Sequence, residues 1–241
     1  MIPELKICGM KHNTAEVSQL QPDYLGFIFY EGSPRNFEGS VPKLSSKIKR
    51  VGVFVDANLE YISEKIKKNK LHVIQLHGDE TPEFCQAVNS LGPFDSAQAP
   101  TTTQNQTMIP DPERSRRIEV PVSSGVEVWK VFNIKDQFDF DLLKPYESCV
   151  DKFLFDTKGK AKGGNSYTFD WRVLKKYNSA IPIVLSGGIG LPELEAVKNI
   201  LKTGLPIAVI DVNSKFEIAP GRKDVTKLAE FMTGMQGEAK S

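Results

Sequence analysis

Lys6-Ile7-Cys8-Gly9-Met10 closes the first apolar strand of this chain, and Phe153-Leu154-Phe155-Asp156-Thr157 closes a later one. Each puts one residue able to move a proton where a buried strand runs out into a loop. Leu185-Ser186-Gly187-Gly188-Ile189 and Asp211-Val212-Asn213-Ser214 end two further strands in glycine and small polar residues. Chemistry gathered at the carboxyl ends of parallel strands is the pattern of a barrel enzyme.

Working outward, strand-length apolar runs fall at 5–9, 24–29, 50–55, 72–77, 127–132, 152–156, 181–186 and 206–212. They are rich in Val, Ile and Phe and nearly continuous, as parallel strands covered on their outer face should be. Amphipathic helices alternate with them. Leu59, Ile62 and Ile66 share one face, as do Leu194, Val197 and Leu201, and Val225, Leu228, Ala229 and Met232. Thr81-Pro82 reads as an N-cap followed by proline at the first helical position, and Leu191-Pro192 resembles such a start. Further helices are expected near 14–20, 41–48, 139–144 and 170–177. Eight βα units in alternation give an α/β fold: a single (β/α)8 TIM barrel over residues 1–241. A doubly wound dinucleotide-binding sheet would need a glycine fingerprint after strand one, and none follows.

Residues 92–126 break the alternation. They are rich in Pro, Ser, Thr and Gln, including Thr101-Thr102-Thr103-Gln104-Asn105-Gln106. A polar loop of that length is uncommon inside a compact domain. Inserted after a helix and before strand five, it is expected as a mobile segment at the bottom face, away from catalytic loops.

At 241 residues the chain is close to the ~250 typical of such barrels. With 40% apolar and 25% charged residues it can bury a core. A formal net charge of +1 gives no electrostatic case for nucleic acid or a membrane surface. Met1-Ile2-Pro3-Glu4-Leu5 passes straight into a strand, and no apolar run is long enough to span a bilayer, so neither a signal peptide nor a membrane segment is expected. Cys8, Cys85 and Cys149 have unrelated spacings that suit neither a disulfide framework nor a zinc site, which fits a reducing cytoplasm. His12, His72 and His77 share no metal-like spacing, so no metal is expected.

Cysteine is by default a buried, inert residue, and Cys85 and Cys149 suit that role. Cys8 differs because it ends a strand and is followed at once by Gly9. An ordinary thiol with a pKa of ~8.5 is only about 3% ionised at pH 7, so a working base needs help. Lys6 lies two residues earlier, on the same side of the strand, where an ammonium would favour the thiolate. Asp156 ends a run too apolar for an idle carboxylate, which is costly there unless paired or used. Gly187 and Gly188, with Asn213 and Ser214, follow strands seven and eight, where backbone N–H groups commonly seat a phosphate. Arg35, after strand two, could grip a carboxylate in a two-pronged pair. His77 ends strand four and could orient a substrate or move a proton; a structural histidine is the plain alternative. Asp211 would repel a phosphate, so an internal partner such as Lys6 is its expected role.

These residues, with Asp23-Tyr24-Leu25-Gly26-Phe27-Ile28-Phe29, Ser33-Pro34-Arg35, Val51-Gly52-Val53-Phe54, Gln75-Leu76-His77-Gly78, Asp211-Val212-Asn213-Ser214-Lys215-Phe216-Glu217 and Pro220-Gly221-Arg222-Lys223-Asp224, resemble the phosphoribosylanthranilate isomerase family. The resemblance covers the chain except 92–126, with Lys215-Phe216 replacing smaller residues often seen before the glutamate. It implies an Amadori rearrangement in tryptophan biosynthesis, with Asp156 as general acid, Cys8 as general base, phosphate at 187–189 and 213–214, and Arg35 at the anthranilate end. It implies a small phosphorylated substrate, no cofactor, and a monomer or homodimer. The related isomerase of histidine biosynthesis is disfavoured because its pattern has aspartate where this chain has Cys8. A ribulose-phosphate epimerase would need metal-binding histidines at several strand ends. A catalytically silent binding barrel would be suggested by loss of Cys8 or Asp156, and both are present.

Overall fold

The computed structural model describes residues 2–92, 125–134, 137–157 and 171–237. Eight parallel strands close a barrel in sequence order: β1 (Glu4–Ile7), β2 (Tyr24–Ile28), β3 (Lys49–Phe54), β4 (Val73–Leu76), β5 (Glu127–Ile134), β6 (Lys152–Thr157), β7 (Ile183–Leu185) and β8 (Ile207–Val212). β8 returns to β1 with Lys6 opposite Asp211. A short antiparallel pair, β9 (Glu217–Ala219) and β10 (Arg222–Lys223), follows the barrel.

Strand alternation sorts the side chains into two cores. Val51, Val53, Val73, Val131, Leu154 and Val184 fill the barrel interior together with Cys8. The intervening residues, among them Ile7, Phe54, Leu76, Phe153 and Leu185, face the surrounding helices and loops. At the amino-terminal end Tyr24 and Trp129 plug the interior edge to face, with ring centroids 5.1 Å apart. Their polar atoms reach Glu4 and Glu127 at 2.8 Å each, so the plug leaves neither buried and unpaired. Gly26 leaves room higher up. A Cβ there would sit 3.0 Å from Cys8 Sγ and 3.1 Å from Lys6 Cε. The open end of the barrel is therefore the carboxyl-terminal one.

The helices are α1 (Thr14–Ser18), α2 (Leu59–Asn69), α3 (Pro82–Asn89), α4 (Leu194–Leu201) and α5 (Val225–Gln236). Asn58, Thr81 and Asp224 cap α2, α3 and α5 by accepting from backbone N–H groups of the first turn. Ile62 and Ile66 of α2, and Val197 and Ile200 of α4, form their buried faces. Leu191–Glu193 is a 3-10 turn leading into α4.

Residues 41–48, expected as a helix, form none. Val41 precedes proline, which disfavours the helical region, and its N–H donates instead to Asn69 Oδ1 at 3.1 Å. Ser45 then takes the N–H groups of Lys47 on Oγ and of Ile48 on its carbonyl, closing a turn. The segments expected as helices near 139–144 and 170–177 are 3-10 turns at Phe140–Tyr146 and Trp171–Lys176, the former containing Pro145, which has no N–H to give. The insertion expected as mobile at 92–126 falls almost wholly on 93–124, outside the described residues. Its flanks are close: Val126 N–H donates to the Leu91 carbonyl at 3.3 Å, just before β5 begins. Among the described residues no helix is long and apolar enough to cross a membrane.

Candidate active site

A cavity of about 170 Å³ opens at the carboxyl-terminal end of the barrel. Cys8 after β1, His77 after β4 and Asp156 in β6 all face it, because inward parity continues past the strand ends. Gly187 and Gly188 after β7 and Asn213 and Ser214 after β8 line it from the two strands between β6 and β1. Both glycines have positive φ, +94° and +67°, which a side chain would strain. Arg35 alone among the expected site residues is not among the residues lining this cavity. Its Nε and Nη2 grip Glu217, with Nη2 2.6 Å from Oε2.

Lys6 lies one layer beneath. Its Nζ is fully buried, 3.0 Å from Asp211 Oδ2 and 2.7 Å from Gln75 Oε1. Burial opposes its charge, but Asp211 and Cys8 outweigh that and raise its pKa, so it stays an ammonium. Burial likewise pushes the Cys8 thiol up, and the opposing pull of Lys6 does not offset it. The anticipated help from Lys6 thus has the right sign and is the smaller effect. Asp211 also faces the cavity; its Oδ2 accepts from Ser186 Oγ at 3.2 Å, while its buried Oδ1 has no partner among the described residues.

A second network stands behind the rim. Glu217 accepts from Arg35 and from Lys223 Nζ at 2.8 Å, and Lys223 also reaches Asn213 Oδ1 at 2.8 Å. Burial opposes the Glu217 charge, yet Arg35 and Lys223 hold its carboxyl below the usual range. Burial pulls the Lys223 pKa down against the pull of Glu217, while the Glu217 hydrogen bonds push that of Arg35 up, so Arg35 is the firmer cation of the trio.

Gln75, Lys215, Ile28 and Val53 also line the cavity and were not singled out from the sequence. Gln75 had a signal, being a polar residue on inward parity within Val73-Ile74-Gln75-Leu76-His77. His77 Nε2 lies 3.5 Å from Asp156 Oδ2, and its Nδ1 lies 3.4 Å from Gln75 Nε2. Among the described residues no cluster of three or more His, Cys, Asp or Glu side chains is spaced to hold a metal ion.

A thiol and a carboxyl facing one cavity, with a glycine turn between their strands, suit proton transfer on a phosphorylated substrate. Comparison with known families agrees: the family described as N-(5'phosphoribosyl)anthranilate (PRA) isomerase matches residues 5–107 and 112–234. The chain belongs to that family. It is similar to the N-(5'-phosphoribosyl)anthranilate isomerase of Parabacteroides distasonis, 35% identical over 95% of this chain and 91% of the relative. The enzyme of the same name from Caldanaerobacter subterraneus subsp. tengcongensis is 34% identical, over 97% of this chain and 98% of the relative. Among solved structures, phosphoribosyl anthranilate isomerase from Thermotoga maritima superposes with a TM-score of 0.72 at 25% identity, covering 98% of this chain and 99% of that one. This member of the isomerase family is thus matched along nearly its whole length.

Proposed function

We infer that this chain converts N-(5-phosphoribosyl)anthranilate to 1-(o-carboxyphenylamino)-1-deoxyribulose 5-phosphate by an Amadori rearrangement in tryptophan biosynthesis. The observation that carries the reading is that Cys8 and Asp156, brought from β1 and β6, face one cavity that is also lined by Gly187, Gly188, Asn213 and Ser214 from the intervening β7 and β8 ends. Family membership supports the reaction, and the cavity supports the roles.

Asp156 is the general acid. It gives its proton to the ribose ring oxygen as the C1–O bond breaks, and the anthranilate nitrogen supplies the electron pair of the resulting Schiff base. Cys8, as thiolate, then removes the C2 proton, and the electrons of that bond move into C1–C2 to give an enolamine. Tautomerisation puts a proton on C1 and leaves the C2 ketone. One group must begin protonated and the other must ionise, and two different residue types at one site provide that asymmetry.

The glycine turn and the start of the Ser214–Phe216 turn offer backbone N–H groups to the phosphate, and Lys215 adds a cation to the same wall. Asp211 Oδ1, buried without a partner among the described residues, accepts a hydrogen bond from a ribose hydroxyl. His77 contacts the ribose beside Asp156. Arg35 takes the anthranilate carboxylate through Nη1, the nitrogen not used on Glu217, in the positive field of Arg35 and Lys223. The test is turnover of the purified chain on enzymatically generated N-(5-phosphoribosyl)anthranilate, followed by loss of anthranilate-type fluorescence. Activity without added metal or redox cofactor is the predicted result, and no turnover by a folded protein rejects the assignment.

A further inference from the structure

Gln75 is 2% exposed, and its amide lies between two groups that it can satisfy in only one orientation. Oε1 is 2.7 Å from Lys6 Nζ, and Nε2 is 3.4 Å from His77 Nδ1. An ammonium has donors only, so the atom turned to Lys6 must be the amide oxygen. The amide nitrogen then faces His77, and because it only donates, Nδ1 must be the bare, accepting ring nitrogen. In a neutral imidazole the proton then sits on Nε2, which is 3.5 Å from Asp156 Oδ2. The two longer distances suit a substrate-free site, where catalytic hydrogen bonds are often loose and tighten on binding.

Each step fixes the next. Asp211 holds Lys6 as a cation at 3.0 Å, Lys6 orients the amide, the amide selects the ring tautomer, and the ring presents an N–H to the carboxyl. An oxygen facing an N–H must offer a lone pair. The carbonyl oxygen of a neutral carboxyl is its better acceptor, so an N–H facing Oδ2 favours the proton on Oδ1, and once it has left, the same N–H stabilises the carboxylate that remains.

We propose that Gln75 is a positioning residue that holds His77 as its Nε2–H tautomer and so makes Asp156 Oδ1 the atom from which the acid's proton departs. The catalytic half rests on Asp156 being the acid; the tautomer half stands independently of it.

Nitrogen NMR of isotopically labelled histidine in the substrate-free enzyme reads the tautomer, with His77 assigned by its absence in His77→Asn. At a pH where the ring is neutral, the wild type shows Nε2 protonated and Nδ1 bare. Gln75→Glu keeps the size but replaces the donor with an acceptor, so it inverts the tautomer. Its kcat falls roughly 10–100-fold, the scale known for lost outer supports of metal ligands, and by more than KM rises. A wild-type proton on Nδ1, an unchanged tautomer in Gln75→Glu, or an inverted tautomer with unchanged kcat each overturns the proposal. If Gln75→Glu does not fold, Gln75→Met serves: a mixture of tautomers supports the role, and an unchanged Nε2–H signal removes it. A wild type with the Nε2–H tautomer but no isomerase activity would reject the proposed function and leave the Gln75–His77 relationship standing.

Discussion

Lys6 Nζ and Asp211 Oδ2 meet at 3.0 Å in the barrel interior, between neighbouring strands β1 and β8 and directly beneath Cys8. Two charges are taken out of water there, with Gln75 and Ser186 completing part of their hydrogen bonding. Such a pair adds little net stability over an apolar substitute, but removing one partner strands the other. Lys6→Met should therefore cost about 3–5 kcal/mol, and Lys6→Met combined with Asp211→Leu should recover most of it. Denaturant midpoints at unchanged slope measure this. A loss below about 1 kcal/mol in the single variant would mean that Asp211 is not charged in the fold.

The pH dependence follows from Cys8. Burial pushes its thiol up and Lys6 pulls it down by less, so the free enzyme's base titrates above the ordinary thiol value. Thiolate absorbance of the free enzyme reads this directly, whereas kcat/KM also needs Asp156 protonated and so follows a bell or plateau: the Cys8 thiolate should grow in only above pH ~8.5. A thiolate titration centred below that pH would show that Lys6 outweighs burial.

Arg35 and Glu217 should separate binding from chemistry. Arg35→Ala removes the carboxylate grip and is expected to raise KM or lower kcat/KM, with a smaller effect on kcat. Glu217→Gln leaves the guanidinium in place with a weaker partner, so the KM effect should be milder. Unchanged KM in Arg35→Ala would take Arg35 out of the anthranilate subsite.

Replacing 93–124 with a short polar linker should leave kinetics nearly unchanged. The flanks already meet through Val126 and Leu91 at the amino-terminal end of β5, and the site lies at the other end. Loss of activity in a folded deletion variant would connect this segment to the site.

The strands were legible because parallel strands covered by helices need continuous apolar runs, and strand parity then carried Cys8, His77 and Asp156 inward. Gly187-Gly188 could be read because a turn at positive φ needs glycine. Residues 41–48 could not, since apolar spacing suggested a helix while Pro42 and Ser45 redirected the backbone hydrogen bonds. Arg35 was read as a grip for a carboxylate, but that Glu217 is the carboxylate it holds could not be read, because Glu217 lies in a distant part of the sequence. Gln75 was hidden for a similar reason: its meaning comes from Lys6 and His77 on either side, and a lone polar residue in an apolar run does not show its partners.

Single-substitution kinetics at the acid and the base test the account most directly. In the fluorescence assay, Cys8→Ala, Cys8→Ser and Asp156→Ala should each lower kcat by about 10²–10⁴-fold with the fold retained by circular dichroism. Near-wild-type turnover in any one of these variants would contradict the assignment of that residue as acid or base.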